Sequence, residues 1–380
     1  MSALTQSGHQ PFCCTALHRN CSMMCYGVGF GLGVPMRRRN FIAGLASVTT
    51  AWPLAAHAQQ PDKMRRVGVL AYFNEKDPEG QANLAAFKRR LADLGWTEGR
   101  NLSIDYRFID DIARGRNKSH VQRDDVAEQI RAAAEDLVAT APEVIFASSN
   151  VSVAPLQKAT STIPIVFTQV SDPVGSGFVA SLARPGGNIT GFQGYEPAIG
   201  GKWLEVLREI APNLKRAAVV HIPDVAANVA FLKAARAAGV TSGVTVTAVG
   251  IRNAAEIEPL VTAFAREPDG GMIVTPNPLT NTAENRALFF SLAARLGLPA
   301  IYAYPLTAAS SGLISYSYDI VAQWQGAATY LDRVLRGAKP ADLPVQAPTK
   351  YLMIINLKAA KTLGLKVPPA LLAQADEVIE

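Results

Sequence analysis

The chain has 380 residues, 49% hydrophobic and 18% charged, with a formal net charge of +6; this is globular composition with room for about two domains. The basicity is local: residues 1–58 carry Arg19, Arg37, Arg38 and Arg39 and no acid, and beyond them 33 basic residues face 31 acidic ones. No basic patch interleaved with aromatics is left, so a nucleic-acid partner is not expected.

The four cysteines, Cys13, Cys14, Cys21 and Cys25, all precede Met36. With no second ligand cluster they read as neither a metal site nor a disulfide frame. "GVGFGLG" (27–33) has no strand before it and no helix after it, and a phosphate loop needs both. Met36 opens a segment with the three parts of an export signal. Arg37, Arg38 and Arg39 form the positive region, Phe41 to Ala56 the apolar run, and Ala56-His57-Ala58 the small-x-small cleavage site. Cleavage near Ala58 gives an expected mature start near Gln59. "RRNFI" (38–42) resembles the twin-arginine export motif. Thr49, Thr50, Pro53 and His57 interrupt the run, and spanning a bilayer takes about 18 or more clean apolar residues. Met36 is therefore the expected true start, with upstream sequence before it, and the mature product is expected to be soluble and periplasmic.

"RRVGVLAYF" (65–73) reads as a buried strand. The helix after it carries Leu84, Phe87, Leu91 and Leu94 on one face and stops at Gly95. "NLSIDYRF" (101–108) predicts a strand, 121–139 a helix, "EVIFA" (143–147) a strand, "SSNVSVAPLQKAT" a helix start and "IPIVFTQ" (163–169) a fourth strand. The turn-rich stretch 171–192 breaks this rhythm. Helices at 200–210, 226–238, 254–265 and 283–296 then alternate with strands at 216–221, 244–250, 270–276 and 298–304. Two such alternations predict two doubly wound α/β units with parallel sheets. Ligands of open α/β sheets bind at the carboxyl ends of the strands, which places a cleft between the two units.

Catalytic chemistry is sparse. The histidines beyond residue 58 are His120, in a polar loop, and His221, at a strand end. Asp172 follows the fourth strand in a turn beside Pro173. Binding chemistry is better supplied. Ser148, Ser149 and Asn150 stand between a strand and a helix, where hydroxyls and free N–H groups suit a carboxylate and serve equally as a plain helix cap. Thr275 and Asn277 end another strand, as do Tyr302 and Tyr304, and Phe73 ends the first. Aromatics at strand ends can sandwich an apolar or ring-bearing ligand.

The stretches "STIPIVFTQVSDPVGSGFVASLARPGGNITGF" (161–192), "GLPAIYAYPLTAASSGLISYSYD" (297–319) and 330–380 resemble the ABC transporter substrate-binding proteins of the tryptophan/tyrosine type. The resemblance implies a type I periplasmic-binding fold: two Rossmann-like lobes that close on a small ligand in the cleft between them. It implies an N-terminal lobe of 59–193 and 308–345 and a C-terminal lobe of 194–307 and 346–380. Ser148, Ser149 and Asn150 match the small polar strand end at which the family's first lobe meets ligand. Asp172 sits in the "DPV" signature, and Phe73 holds the variable position after the first strand. Asn277, Tyr302 and Gly312 fall on the second lobe or its return crossing. "LISYS" (313–317) and the long polar link 109–125 depart from the family pattern. The implied role is a solute-binding component of an ABC importer. It captures an amino acid or an aromatic or carboxylate compound and hands it to permease membrane subunits, as a monomer, with no cofactor, no metal ion and no catalysis. The rival readings are an exported α/β enzyme using Asp172 or His221 as base, and a ligand-sensing receptor for a signalling partner.

Overall fold

The computed structural model describes residues 64–73, 75–109, 123–307 and 309–380; the leader, the expected start at Gln59, His120 and most of the 109–125 link lie outside them. Strand β1 (Arg65–Ala71) shows how the first lobe is built. Alternate side chains of a strand point to opposite faces. Val67, Val69 and Ala71 enter one core and Leu70 another, and in β3 (Val144–Ser148) Val144 and Phe146 divide from Ile145 and Ala147 in the same way. Both faces are covered, which is why these strands are apolar throughout.

Among the described residues the first sheet has the order β2-β1-β3-β4-β5, with β2 at Leu102–Phe108, β4 at Ile165–Val170 and β5 at Ile189–Gln193. Every pairing in it is parallel. Helix α1 (Pro78–Asp93) starts where the Asp77 carboxylate accepts from the Gly80 N–H at 3.2 Å and Pro78 presets the first turn. It covers one face through Leu84, Phe87 and Leu91. Helices α2 (Arg123–Ala139) and α3 (Asn150–Ala159) cover the other through Ile130, Leu137, Val153 and Leu156.

The second sheet runs β12-β11-β10-β9-β8-β6-β7. Its strands are β6 (Arg216–His221), β7 (Thr245–Gly250), β8 (Gly270–Val274), β9 (Ala300–Tyr302), β10 (Ile314–Tyr318), β11 (Tyr351–Asn356) and β12 (Glu377–Ile379). Helices α4 (Ile199–Ile210) and α5 (Ala226–Ser242) pack on one face with Val219 and Ile273. Helices α6 (Ile257–Ala265) and α7 (Ala283–Arg295) pack on the other with Val220, Met272 and Val274. The strands are mainly parallel, as the sequence leads one to expect; among the described strands β10 and β11 pair antiparallel, Ile314 opposite Ile355.

The chain crosses between lobes three times. It leaves the first after Gln193. It does not return near 308, as the sequence suggests. Strand β10 still pairs with β9 and β11 of the second sheet, and the element that goes back is helix α8 (Ile320–Leu335). Trp324 of α8 sits against Phe146 at 4.9 Å and Phe87 at 6.2 Å. Burial of one such ring contributes about 3 kcal/mol, which explains why α8 joins the first lobe. The last crossing lies between Gln346, bridged to Phe192, and Tyr351 of β11. The crossings are tied to each other: Gln193 N donates to Gln346 O at 2.8 Å, and Gln323 Nε2 donates to Gln193 O at 2.5 Å.

Candidate ligand-binding cleft

A cavity of about 610 Å³ lies where the carboxyl ends of the two sheets meet, a size typical of sites that enclose small organic molecules. From the first lobe it is lined by Tyr72 and Phe73 beyond β1, the first turn of α1, Ser148 to Asn150 beyond β3, and Gln169 and Ser171 at the end of β4. From the second lobe come Asn228 of α5, Pro276 and Asn277 beyond β8, Arg286 of α7, and Ala303 and Tyr304 beyond β9. Tyr195, Tyr318 and Trp324 line it at the crossings.

Six of the positions singled out from the sequence, Phe73, Ser148, Ser149, Asn150, Asn277 and Tyr304, line this cavity, with different duties. Phe73 packs its ring edge-on to Phe108 at 5.4 Å. A Cβ at Gly80 would fall 2.2 Å from that ring, so any larger residue there would displace Phe73. Ser148 is buried, and its Oγ accepts from the Tyr72 N–H at 2.8 Å. Ser149 is the N-cap residue of α3 at φ 98°, ψ 159°, a region almost reserved for glycine. Its side chain caps nothing, and its Oγ is buried without a partner. Asn150 clamps the loop beyond β4: Nδ2 donates to Ser171 O at 2.8 Å and to Ser176 Oγ at 3.1 Å, and Oδ1 accepts from Ser171 N at 2.9 Å. Asn277 is likewise engaged within its own loop, donating to Thr275 O and accepting from Leu279 N and Thr280 N. These two asparagines shape the cavity wall with polar atoms that are already paired.

Three expected positions do not line the cavity. Asp172 takes a left-handed turn (φ 46°), and its Oδ1 accepts from Gly175 N at 2.9 Å, which closes the "DPVG" turn on itself. Tyr302 is fully buried against Phe290 at 4.9 Å, still within β9. Gly312 is a packing position, where a Cβ would meet Phe290 at 2.6 Å and Tyr302 at 2.8 Å. His221 is also outside the lining and 5% exposed; burial holds its pKa below the ordinary value of 6.5. Thr275 is buried and donates to Val220 O at 2.6 Å.

Sequence reasoning passed over Arg286, Glu79 and Gln169. Arg286 Nη1 reaches Glu79 Oε2 across the cleft at 2.6 Å, and its guanidinium lies 4.3 Å over the Tyr304 ring. Tyr304 is 2% exposed, and burial pushes its phenol well above the ordinary tyrosine range. Gln169, at φ 57°, accepts from Trp324 Nε1 at 3.2 Å. A positive φ at Gln169 and Ser149 leaves no mark in sequence, since neither is a glycine.

Two doubly wound lobes, three crossings and a cavity between the strand ends define a type I periplasmic-binding architecture. Within that class the chain belongs to the ABC transporter substrate-binding protein family, whose description matches residues 78–379. It is 24% identical over 286 residues to a tyrosine-binding protein of Clostridioides difficile (strain R20291), covering 74% of this chain and 76% of the relative. Its fold matches an ABC domain in complex with L-Trp from Streptococcus pneumonia, with TM-score 0.72, 23% identity, and coverage of 83% of this chain and 100% of that one. A ligand-free, open substrate-binding protein with adhesive properties from Clostridium difficile matches with TM-score 0.61 and 22% identity, covering 83% and 99% of the two chains. Among the described residues no helix is long and apolar enough to cross a membrane.

Proposed function

We propose that this protein captures a small carboxylate-bearing molecule with an apolar or aromatic body, an amino acid or aromatic acid, by closing its lobes, and delivers it to the membrane subunits of an ABC permease. The observation that carries this reading is Ser149. It accepts a strained backbone at the first-lobe wall of the cleft and keeps its Oγ unpartnered at the N-terminus of α3. Backbone strain persists where the surroundings enforce it, and such positions cluster at ligand clamps. Helix N-termini favour negative charge. Phe73, Trp324 and Tyr318 supply an apolar wall beside it. The tryptophan and tyrosine named for the relatives fit both features. In this reading the protein acts as a monomer, binds no nucleic acid, and makes or breaks no bond; Asp172 and His221, the candidates for a base, do not line the cavity. The protein reaches the periplasm after cleavage near Ala58.

A thermal-shift panel of amino acids, aromatic acids, small carboxylates, purines and sugars tests the proposal. A cargo at 100 times its dissociation constant adds about 2.7 kcal/mol to stability. The expected hits are amino acids or aromatic acids. Stabilisation by sugars or purines alone would overturn the cargo class, and the same panel watched for turnover of each compound would expose an enzyme.

A further inference from the structure

Three side chains of the cleft carry a buried polar atom without a hydrogen-bond partner: Ser149 Oγ, Arg286 Nε and Tyr304 OH. All three can donate, and a guanidinium nitrogen can do nothing else. A buried donor left unpaired is costly, and two of these sit together, since the Arg286 guanidinium lies over the Tyr304 ring at 4.3 Å. The neighbouring amide acceptors do not answer them, because Asn277 Oδ1 already accepts from Leu279 N and Thr280 N. Their complement is a group rich in acceptors.

The cleft itself shows which group. Glu79, from α1 of the opposite lobe, places a carboxylate on Arg286 through one hydrogen bond, Nη1 to Oε2 at 2.6 Å. A guanidinium fork can make two parallel bonds to a carboxylate, and the Nε side of this fork is unmet. Four carboxylates, Asp77, Glu79, Asp224 and Glu284, line the cavity beside the two cations Lys76 and Arg286. Asp77 caps α1, Glu79 is paired with Arg286, and Lys76, Asp224 and Glu284 each have partners.

We infer that Arg286 and Tyr304 form a carboxylate subsite in the second lobe, that the cargo carries an acidic group for each lobe, and that Glu79 competes with the cargo for Arg286. This rests on the reading of the cleft as a cargo site. The first-lobe group belongs at Ser149 and α3, and the second replaces or joins Glu79 on the guanidinium. Closure over a diacid would then satisfy Nε and the Tyr304 hydroxyl together.

The test uses the whole protein and calorimetric titration with acid–amide pairs: 4-carboxy-L-phenylalanine against its 4-carboxamide, and glutarate against its monoamide. L-tryptophan and L-tyrosine serve as monoacid controls. The acid of at least one pair is expected to bind about tenfold or more tighter than its amide, the worth of one charge-assisted hydrogen bond. Arg286→Gln and Tyr304→Phe should erase that preference. Glu79→Gln should tighten the acid several-fold and leave the amide unchanged, an effect that a merely structural glutamate would not produce. Amides that bind as well as acids, a preference that survives Arg286→Gln, or weaker acid binding in Glu79→Gln would each overturn the inference. Binding of the monoacid controls alone would sink the inference and spare the proposed function, whereas no binding by any compound would count against both. If Arg286→Gln melts early without ligand, Tyr304→Phe and Glu79→Gln decide the question.

Discussion

Ser149 and its neighbour Ser148 look alike in sequence and do opposite things. Ser148 Oγ accepts from the half-buried Tyr72 N–H, so Ser148→Ala should cost about 1 kcal/mol by leaving that donor to the cleft. Ser149 holds φ 98° with no capping bond. Ser149→Gly should therefore raise unfolding stability by about 1 kcal/mol while weakening cargo binding, and urea denaturation beside calorimetry would read both. A destabilised Ser149→Gly would mean the backbone there is not strained. His221 gives a pH signature. Burial favours its neutral form, so its folded pKa lies below 6.5, and the unfolded chain takes up the proton first. Stability is then complete above about pH 6.5 and falls as pH drops through it. His221→Gln should flatten the decline between about pH 7.5 and about pH 5.5. Asp376, whose pKa Lys350 lowers from 3.8, loses its contribution only at more acidic pH and does not mask the effect.

At the scale of elements, the contact between α4 and α5 turns on one glycine. A Cβ at Gly200 would fall 2.2 Å from Phe231 O, whereas one at Gly201 meets Ala238 Cβ at 3.4 Å. Gly200→Ala should cost at least about 2 kcal/mol by pushing the helices apart. Gly201→Ala should be neutral or stabilise by up to about 1 kcal/mol through helix propensity. Chemical denaturation of the pair checks both, and equal losses would show that packing does not set the difference. The helices and strands themselves were legible because their signals are local. Asp77-Pro78 starts α1, and Gly95, at φ 96°, follows its end. Strand β10 was not legible as part of the second lobe. Nothing in "ISYSY" says which sheet it joins, and that is settled by pairing with β9 and with β11, some 40 residues away.

For the whole molecule, the leader and the cleft make separate claims. Intact mass measurement of the exported protein should give an N-terminus near Gln59, and Arg38→Lys with Arg39→Lys should block its export. A mature chain beginning at Met1, or export that survives the double substitution, would rule out the twin-arginine route. Cargo should shift the lobes toward closure in proportion to its preference for the closed form, seen as a smaller radius of gyration in scattering. The three crossings are bound to each other through Gln193, Gln323 and Gln346.

The sequence by itself determined the two α/β units and the strand ends around which the cavity lies, because strand alternation, helix caps and turn residues act over a few neighbours. Only the tertiary structure decided which side chains face the cleft. Tyr302 and Tyr304 are two residues apart, yet the first is held in the core by β9 and the second lines the cavity after the strand has ended. Arg286 meets Glu79 from 207 positions away. That contact exists because two separately folded lobes bring α1 and α7 to the same cleft, and no local pattern encodes such an approach.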